Sequence, residues 1–332
     1  MRVTIKAQDL RIGMHIVLPV SWFKHPFLVN EFVIKSQEQI DRIIGYGIRE
    51  AVIDTDKGLS PADAAAAARH GWQDPARTPP RIWAPEKLVP VELREAIHDK
   101  SLPPEKKSRV VYESSRVLVE RLFEDPKAEN IHEAKKGVSE IVDMIIADDA
   151  TSKELLKITS YDFYTYTHSV NVGVFSVLLA KHLFQGSDGH DMHELGAGFF
   201  LHDIGKVRVD PAITNKPGKL TDEEMEVMRG HPFHGYKILK ETNQLTEECM
   251  IIVMQHHERA DGNGYPKKLR GEEIHTYGRI CCIADVYDAI TAERSYKQRL
   301  NTFAALKLMK EKLIDHFQEE MFEKFVLLFA SK

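Results

Sequence analysis

Two kinds of hydrophobic spacing divide the chain. Near the N-terminus, short β-branched runs in VTIKAQDLRIGMHIVLPV, EFVIKS and REAVIDT are punctuated by Gly and Pro and predict strands, with a helix over SQEQIDRIIGYGI. From about residue 106 onward, apolar residues recur at helical spacing, as in SVNVGVFSVLLAKHLF and EECMIIVMQHHE. The pattern predicts a mainly α protein in which a small α+β N-terminal domain precedes an all-helical domain.

The stretch between these two regions is rich in Pro and Ala. Its prolines repeatedly interrupt any helical pattern, which is typical of a linker or arm. We therefore predict three segments: residues 1–57 as the small α+β domain and a candidate regulatory unit, residues 58–105 as the linker, and residues 106–332 as the helical domain.

Composition narrows the class of protein. The 332 residues carry a formal net charge of −5, which argues against a surface that binds polymeric nucleic acid. The N-terminus lacks the apolar core of a signal peptide, and we find no run of about 18 apolar residues that would span a membrane. The three cysteines are an odd number and are interpreted as buried thiols. These features predict a cytoplasmic protein.

The chain contains 16 histidines, most of them after residue 165. A single histidine in an apolar helix is usually a core residue bonded to a backbone carbonyl. Several imidazoles and carboxylates together instead supply enough ligands for two metal ions, and this mixture suits iron, manganese, zinc or nickel better than calcium or magnesium. The candidate ligands are His168, His202, Asp203, His231, His256, His257 and Asp285.

Two of the motifs that carry these ligands, HDIGK and HHERADGNGYP, resemble the signatures of the HD-GYP phosphodiesterases, a bacterial signalling subgroup of the HD phosphohydrolase superfamily. HSVNVG, HPFHGYKIL and IADVYDAITAERSYK are also similar to the family pattern, so the resemblance covers roughly residues 106–332. The N-terminal segments LRIGMHIVLPVSW, KHPFLVNEFVIKS and VIDTDKG resemble a small domain of unassigned function that often precedes HD-GYP domains.

The resemblance implies an enzyme that hydrolyses cyclic di-GMP to pGpG, and further to GMP, with a hydroxide held between two metal ions. It assigns one group of ligands to the older HD set and a second group to the second ion, with Asp203 bridging the two. Family likeness favours iron, with manganese close. The HD set is His168, His202, Asp203 and Asp285, and the second is His231, His256 and His257.

Five further residues are candidates for contact with the substrate. Lys206 lies one helical turn beyond the HD pair, where it would stabilise charge that develops on the phosphate. By resemblance, Arg294 and Lys297 would grip the phosphates, and Gly264 and Tyr265 of the DGNGYP loop would shape the entrance. That loop and the N-terminal domain are also candidate contacts for partner proteins.

One position departs from the pattern of some family members, which place a Glu that helps to bind a third ion where this chain has Tyr164. We therefore expect two metals, although Asp162 is close. No residue of the sequence identifies guanine as the base that is recognised, so another cyclic dinucleotide or a phosphomonoester stays open as substrate. The native metal and the oligomeric state also stay open. The alternative function is a cyclic dinucleotide receptor or interaction module without turnover, which the intact ligand set disfavours.

Overall fold

The computed structural model describes residues 2–18, 31–34, 37–45, 47–57, 59–61, 81–159, 165–214, 216, 218–292 and 300–330. The chain forms two compact units, Met1–Pro79 and Pro80–Lys332. Each unit has its own cluster of buried apolar residues. The mainly α fold class predicted from the sequence is confirmed.

In its described residues, the first unit contains a four-stranded antiparallel sheet and the helix α1 (Gln37–Gly45). Its strands are β1 (Arg2–Lys6), β2 (His15–Val17), β3 (Glu31–Val33) and β4 (Glu50–Asp54), in the spatial order β1-β4-β2-β3. The pairing sets Ile53 opposite both Val3 and Ile16. Buried apolar side chains from the sheet and from α1, including Ile40 and Ile43, form this unit's core.

The second unit is helical throughout its described residues. None of the described helices has the length and apolar content needed to cross a membrane. In chain order the helices are α2 (Val91–His98), α3 (Pro104–Glu124), α4 (Ala128–Ala147), α5 (Asp149–Ile158), α6 (Thr165–Leu183), α7 (Met192–Phe200), α8 (Pro211–Thr214), α9 (Asp222–Met228), α10 (His231–Thr242), α11 (Glu247–Gln255), α12 (Thr276–Thr291), α13 (Thr302–Lys312) and α14 (Glu319–Leu327).

The second half of the predicted linker belongs to this helical unit. Residues 81–103 contain α2, and Leu88 and Leu93 are fully buried in the unit's core. Prolines in this segment stand at the beginnings of helices: Pro90 caps α2 and Pro103 caps α3. A proline at a helix start loses no hydrogen bond, so these residues begin helices here and do not mark a flexible connection.

Helix α6 lies at the centre of the helical unit, where it packs against α3, α7 and α12. The approach to α7 is close at Gly173, because a Cβ there would collide with the ring of Phe200. Residues of α6 from Val170 to Ala180 are buried almost without exception. A helix that is buried on all sides can hold a polar side chain in a fixed position within the core.

A second close approach joins the one-turn 3₁₀ helix Ile204–Arg208 to the start of α10. Gly205 is buried there, and a Cβ on it would collide with the backbone carbonyl of His231 and the amide of Gly235. The absence of a side chain therefore lets two backbone segments that carry candidate ligands lie against each other.

We predict that Gly205→Ala lowers the free energy of unfolding by about 2–3 kcal/mol, since overpacking of this size forces the backbones apart. Denaturant unfolding of the metal-free protein measures the change. Gly189→Ala is the control, because only the Ser187 hydroxyl lies within ordinary contact of a Cβ at that position. Equal stability of the two variants would show that the backbone contact at Gly205 is unimportant.

Candidate metal centre

The seven predicted ligands converge on one buried region of the helical unit, although they come from five different parts of the chain. Helices α6 and α12 supply His168 and Asp285 from their interiors, whereas the other ligands lie at or beside helix ends. Their ligand atoms fall into two groups, within each of which all atoms lie within 4.8 Å of one another. The groups are His168, His202 and Asp285, and Asp203, His231, His256 and His257.

The carboxylate of Asp203 stands between the two groups. Its Oδ2 lies 3.4 Å from Nε2 of His168 and 3.5 Å from Nε2 of His202. Its Oδ1 lies 3.1 Å from Nε2 of His231 and 3.8 Å from Nε2 of His256. Each oxygen therefore faces one pair of imidazoles, which is the arrangement that a bridging carboxylate requires.

Three of the imidazoles are oriented by the helix that precedes them. Nδ1 of His202, His231 and His256 lies 2.7–2.9 Å from the backbone carbonyl three residues earlier, near the end of α7, α9 and α11 respectively. The last carbonyls of a helix have no partner within the helix, and a carbonyl can only accept a hydrogen bond. Nδ1 must therefore carry the proton, which leaves Nε2 as a bare lone pair in the neutral ring.

These lone pairs face one another. Nε2 of His231 and Nε2 of His256 are 3.1 Å apart, and Nε2 of His168 and Nε2 of His202 are 3.4 Å apart. Among the described residues, Oδ1 of Asp203 is buried without a hydrogen-bond donor. Two unprotonated nitrogens and an unpaired carboxylate oxygen in a buried space repel each other unless a cation lies between them. The nitrogen and oxygen donors therefore fit a divalent transition metal.

The ionisation of the two aspartates agrees with this fit. Burial would raise the pKa of Asp203, but the charges of Lys206 and His202 hold it well below its usual range. Burial also opposes ionisation of Asp285, and the charge of His257 with a hydrogen bond from His168 outweighs it. Both side chains are therefore carboxylates at neutral pH, the form in which they ligate a metal.

The pKa values of the imidazoles differ according to the groups around each ring. Burial lowers the pKa of His231 to about 4 against the opposing effect of Asp203, and burial also holds the pKa of His256 well below its usual range. Burial acts in the same direction on His168, but hydrogen bonds to Asp285 and Asp288 outweigh it and raise its pKa to about 10. The metal-free ring of His168 therefore carries a proton on Nε2, and a metal ion bound there would take the place of that proton.

Asp288 and Asn171 support His168 from behind, and the sequence analysis missed both. Asp288 Oδ2 accepts a 2.7 Å hydrogen bond from Nδ1 of His168, and Asp288 Oδ1 accepts one of 2.6 Å from the Asn171 amide. Both residues follow a predicted ligand by three positions, Asp285 on α12 and His168 on α6. This spacing places them on the same helix face as the ligand, which is the signal that could have found them.

Lys206 lies where the sequence predicts, beside the carboxylate. Its Nζ contacts Oδ2 of Asp203, and about a fifth of the side chain is exposed. The ammonium group is therefore partly accessible from outside while it neutralises a buried charge. This position lets it also approach an anionic group that enters next to Asp203.

The DGNGYP loop is held beside the metal centre by backbone contacts of the loop and of the residues that follow it. The buried carboxylate of Glu258 accepts hydrogen bonds from the amides of Lys267 (2.6 Å) and Leu269 (2.9 Å). Gly264 is buried, and a Cβ on it would collide with the backbone of residues 257–259. The structure thus gives Gly264 a packing role, and its predicted contact with substrate stays a prediction.

Tyr265 forms a wall of the centre. Its ring centroid is 4.6 Å from that of His257 and 6.5 Å from that of His231. The guanidinium of Arg229 lies 5.9 Å from the same ring. An aromatic ring in this position can pack against a base or sugar next to the ligand set. Four predicted positions, Tyr164, Asp162, Arg294 and Lys297, lie outside the described residues.

We predict that Asp288→Asn weakens Mn²⁺ binding about 10–100-fold, because the amide no longer fixes the ring of His168 as a carboxylate does. Equilibrium titration of the metal-stripped chain with Mn²⁺ measures the affinity. Asp315→Asn removes an exposed carboxylate as the control. Unchanged affinity in Asp288→Asn would mean that His168 is oriented by its packing alone.

Comparison with known families finds two matches along the chain. The model of the HD domain matches residues 164–320, which include all seven ligands. A model described as a domain of unknown function matches residues 2–136. The second match covers the first unit and continues through α2 and α3 into the first part of α4, where it ends at residue 136.

Curated relatives are similar to this chain over different shares of its length. The cyclic di-GMP phosphodiesterase PA4108 of Pseudomonas aeruginosa is 34% identical over 328 residues, which make up 97% of this chain and 75% of that protein. The cyclic di-GMP phosphodiesterase response regulator RpfG of Xanthomonas campestris is 45% identical over 32% of this chain and 28% of its own length. The 3'3'-cGAMP-specific phosphodiesterase 3 of Vibrio cholerae is 36% identical over 48% of this chain and 34% of its own length.

A solved structure shares the fold. Bd1817, an HDG"Y"P protein from Bdellovibrio bacteriovorus, matches over 100% of both chains with a TM-score of 0.63 at 16% identity. This likeness concerns the fold alone. The full-length similarity to PA4108 and the HD-domain match over the ligand-bearing region carry the assignment. The chain belongs to the HD-GYP phosphodiesterases of the HD-domain family.

Proposed function

We propose that this protein is a metal-dependent phosphodiesterase that opens cyclic di-GMP to the linear dinucleotide pGpG, and that it cleaves pGpG further to GMP. The observation that carries the proposal is the Asp203 carboxylate, whose two oxygens each face a separate pair of imidazole nitrogens. Full-length similarity to a relative named as a cyclic di-GMP phosphodiesterase supports the choice of substrate.

We assign one divalent ion to each group, with Asp203 shared between them. When bound, such a pair of ions supplies an activated water as the nucleophile and stabilises charge on the phosphate. The mixed imidazole and carboxylate set suits iron or manganese, and zinc and nickel are compatible with the same donors. We favour iron on family likeness. The first group is His168, His202 and Asp285, and the second is His231, His256 and His257.

Residues of the chain position the metal ligands and stabilise charge on the phosphate. Asp203 holds the two groups of donors in a fixed relation, and the backbone-anchored imidazoles keep their Nε2 atoms directed inward. Lys206 would donate to a non-bridging phosphate oxygen or to the oxygen that leaves as the P–O bond breaks. Its contact with Asp203 and its partial exposure support this role.

Substrate binding is assigned to Arg294, Lys297 and Tyr265. The first two are proposed from their position in AERSYKQ, downstream of Asp285, where two cations one turn apart match a dianionic ligand. We expect Arg294→Gln and Lys297→Met each to raise KM about 10-fold or more, with a smaller change in kcat, since a lost charged contact costs ~1.5–3 kcal/mol of binding. Steady-state kinetics separates the two constants, and an unchanged KM would remove these residues from the substrate site.

We choose between cyclic dinucleotides by the share of this chain that each named relative matches. The relative named for 3'3'-cGAMP matches 48% of this chain, whereas PA4108, named for cyclic di-GMP, matches 97% of it. We therefore favour cyclic di-GMP. We further propose a cytoplasmic location, with which the three free cysteines agree, and contacts to partner proteins through the DGNGYP loop or the N-terminal unit.

The deciding experiment is hydrolysis of cyclic di-GMP by the full chain, stripped of metal and reconstituted anaerobically with Fe²⁺ or Mn²⁺. Chromatography would follow the appearance of pGpG and GMP, with 3'3'-cGAMP as a parallel substrate. We expect turnover that needs added metal, that chelation abolishes and that falls below detection in Asp203→Asn, which weakens the shared ligand. Asp210→Asn, an exposed carboxylate in the same unit, should retain full activity.

Each outcome has a distinct meaning. Metal and nucleotide binding without turnover would mean that the protein is a receptor and not an enzyme. Faster cleavage of 3'3'-cGAMP than of cyclic di-GMP would change the substrate but leave the reaction class intact. Undiminished turnover in Asp203→Asn would refute the assignment of the site.

We predict that Lys206→Gln lowers kcat about 10²–10³-fold, the usual loss when one donor to developing charge is removed. The bound metal count should stay unchanged, because the ligand atoms are not altered. Lys219→Gln, an exposed lysine of the same unit, is the matched control. Loss of metal together with loss of activity would show instead that Lys206 is needed to hold Asp203 in place.

A further inference from the structure

A hydrogen-bond chain runs from the His168 ligand to helix α3. Beyond Asp288 and Asn171, the Asn171 Oδ1 atom accepts a 2.7 Å hydrogen bond from the hydroxyl of Tyr112. The links from His168 to Asp288 and from Asn171 to Asp288 measure 2.7 and 2.6 Å. All four side chains are buried. The chain therefore crosses from α12 through α6 to α3 without contact with solvent.

The direction of each bond in this chain is determined. A carboxylate only accepts, so the Asn171 amide must turn its NH₂ group towards Asp288 and its oxygen towards α3. That buried oxygen then needs a donor, and the Tyr112 hydroxyl supplies it. The reverse orientation of the Asn171 amide would set two acceptors 2.6 Å apart at Asp288 and is excluded.

Tyr112 differs from neighbouring polar residues of its helix. The hydroxyls of Ser108 and Ser115, one turn away on either side, donate to carbonyls of α3 itself. The Tyr112 hydroxyl instead reaches across to α6, 59 residues further along the chain. Helix α3 also lies within the match to the domain of unknown function, which ends at residue 136.

We infer that Tyr112 is a positioning residue for the metal centre, acting through Asn171 and Asp288 on the ring of His168. By fixing the Asn171 amide it keeps both oxygens of Asp288 engaged, and Asp288 in turn keeps the His168 Nε2 lone pair directed at the first ligand group. The segment matched by the domain of unknown function thus supplies one of the contacts on which metal binding depends. This inference rests on the proposed metal site and is independent of the substrate.

The test is a Mn²⁺ titration of the full-length, metal-stripped chain, with free Mn²⁺ followed by electron paramagnetic resonance. We expect Tyr112→Phe to weaken binding about 10-fold, at the lower end of the range for residues behind a ligand. Tyr287→Phe is the matched control, since this buried phenol donates to Thr302 and lies outside the hydrogen-bond chain. It should bind Mn²⁺ within about twofold of wild type, even if its thermal stability falls as much as that of Tyr112→Phe.

A double-mutant cycle with Asp288→Asn separates positioning from packing. If Tyr112 acts through Asp288, Tyr112→Phe adds little to the loss already caused by Asp288→Asn. If the two losses multiply, or if Tyr112→Phe alone binds Mn²⁺ as wild type does, the inference is wrong. Absence of Mn²⁺ binding by the wild-type chain would overturn it together with the metal assignment, whereas metal binding without cyclic di-GMP turnover would overturn the proposed substrate alone.

Discussion

Four imidazole nitrogens face a single carboxylate in the dry interior of the helical unit, and the rest of that unit is built to hold them there. Lone pairs this close together are unfavourable without a cation, because the side chains that carry them are buried. The fold keeps them in place because each ring is bonded on its far side, three to helix carbonyls and His168 to Asp288. Preorganisation of this kind makes metal binding strong, since little order remains to be imposed when the ion arrives.

The helical architecture supplies both kinds of support. Helix ends provide unpaired carbonyls that set the ring tautomer of three ligands, and helix interiors provide neighbours at a spacing of three residues, such as Asp288 behind Asp285. Close backbone contact at Gly205 then brings the HD pair against the start of α10, where His231 stands. The helices that form the core, together with the turns that follow them, thus position the candidate ligands, and the DGNGYP loop adds the wall formed by Tyr265.

The family matches and the structural units divide the chain at different places. The domain of unknown function is matched as far as residue 136, whereas the helical unit begins near residue 80. Helices α2, α3 and α4 therefore contribute to the core of the helical unit, although α2, α3 and the first part of α4 fall within the match to the domain of unknown function. A change within that matched segment can alter the metal centre through shared packing and through Tyr112, without any movement of the sheet in the first unit.

The sequence by itself determined the residue types and the local elements. Helical periodicity predicted the all-helical unit and β-branched runs predicted the strands. The HDIGK and HHERADGNGYP motifs, with the shorter motifs around them, pointed to the family and to the seven candidate ligands, because these signals are local and depend on spacing alone. The sequence did not show that residues 81–103 pack into the helical unit, because a proline that breaks a helix and one that begins a helix look alike until the burial of Leu93 is known. Tertiary structure alone decided which oxygen of Asp203 faces which group, and that Tyr112 meets Asn171 across 59 residues, since such contacts depend on how distant helices pack.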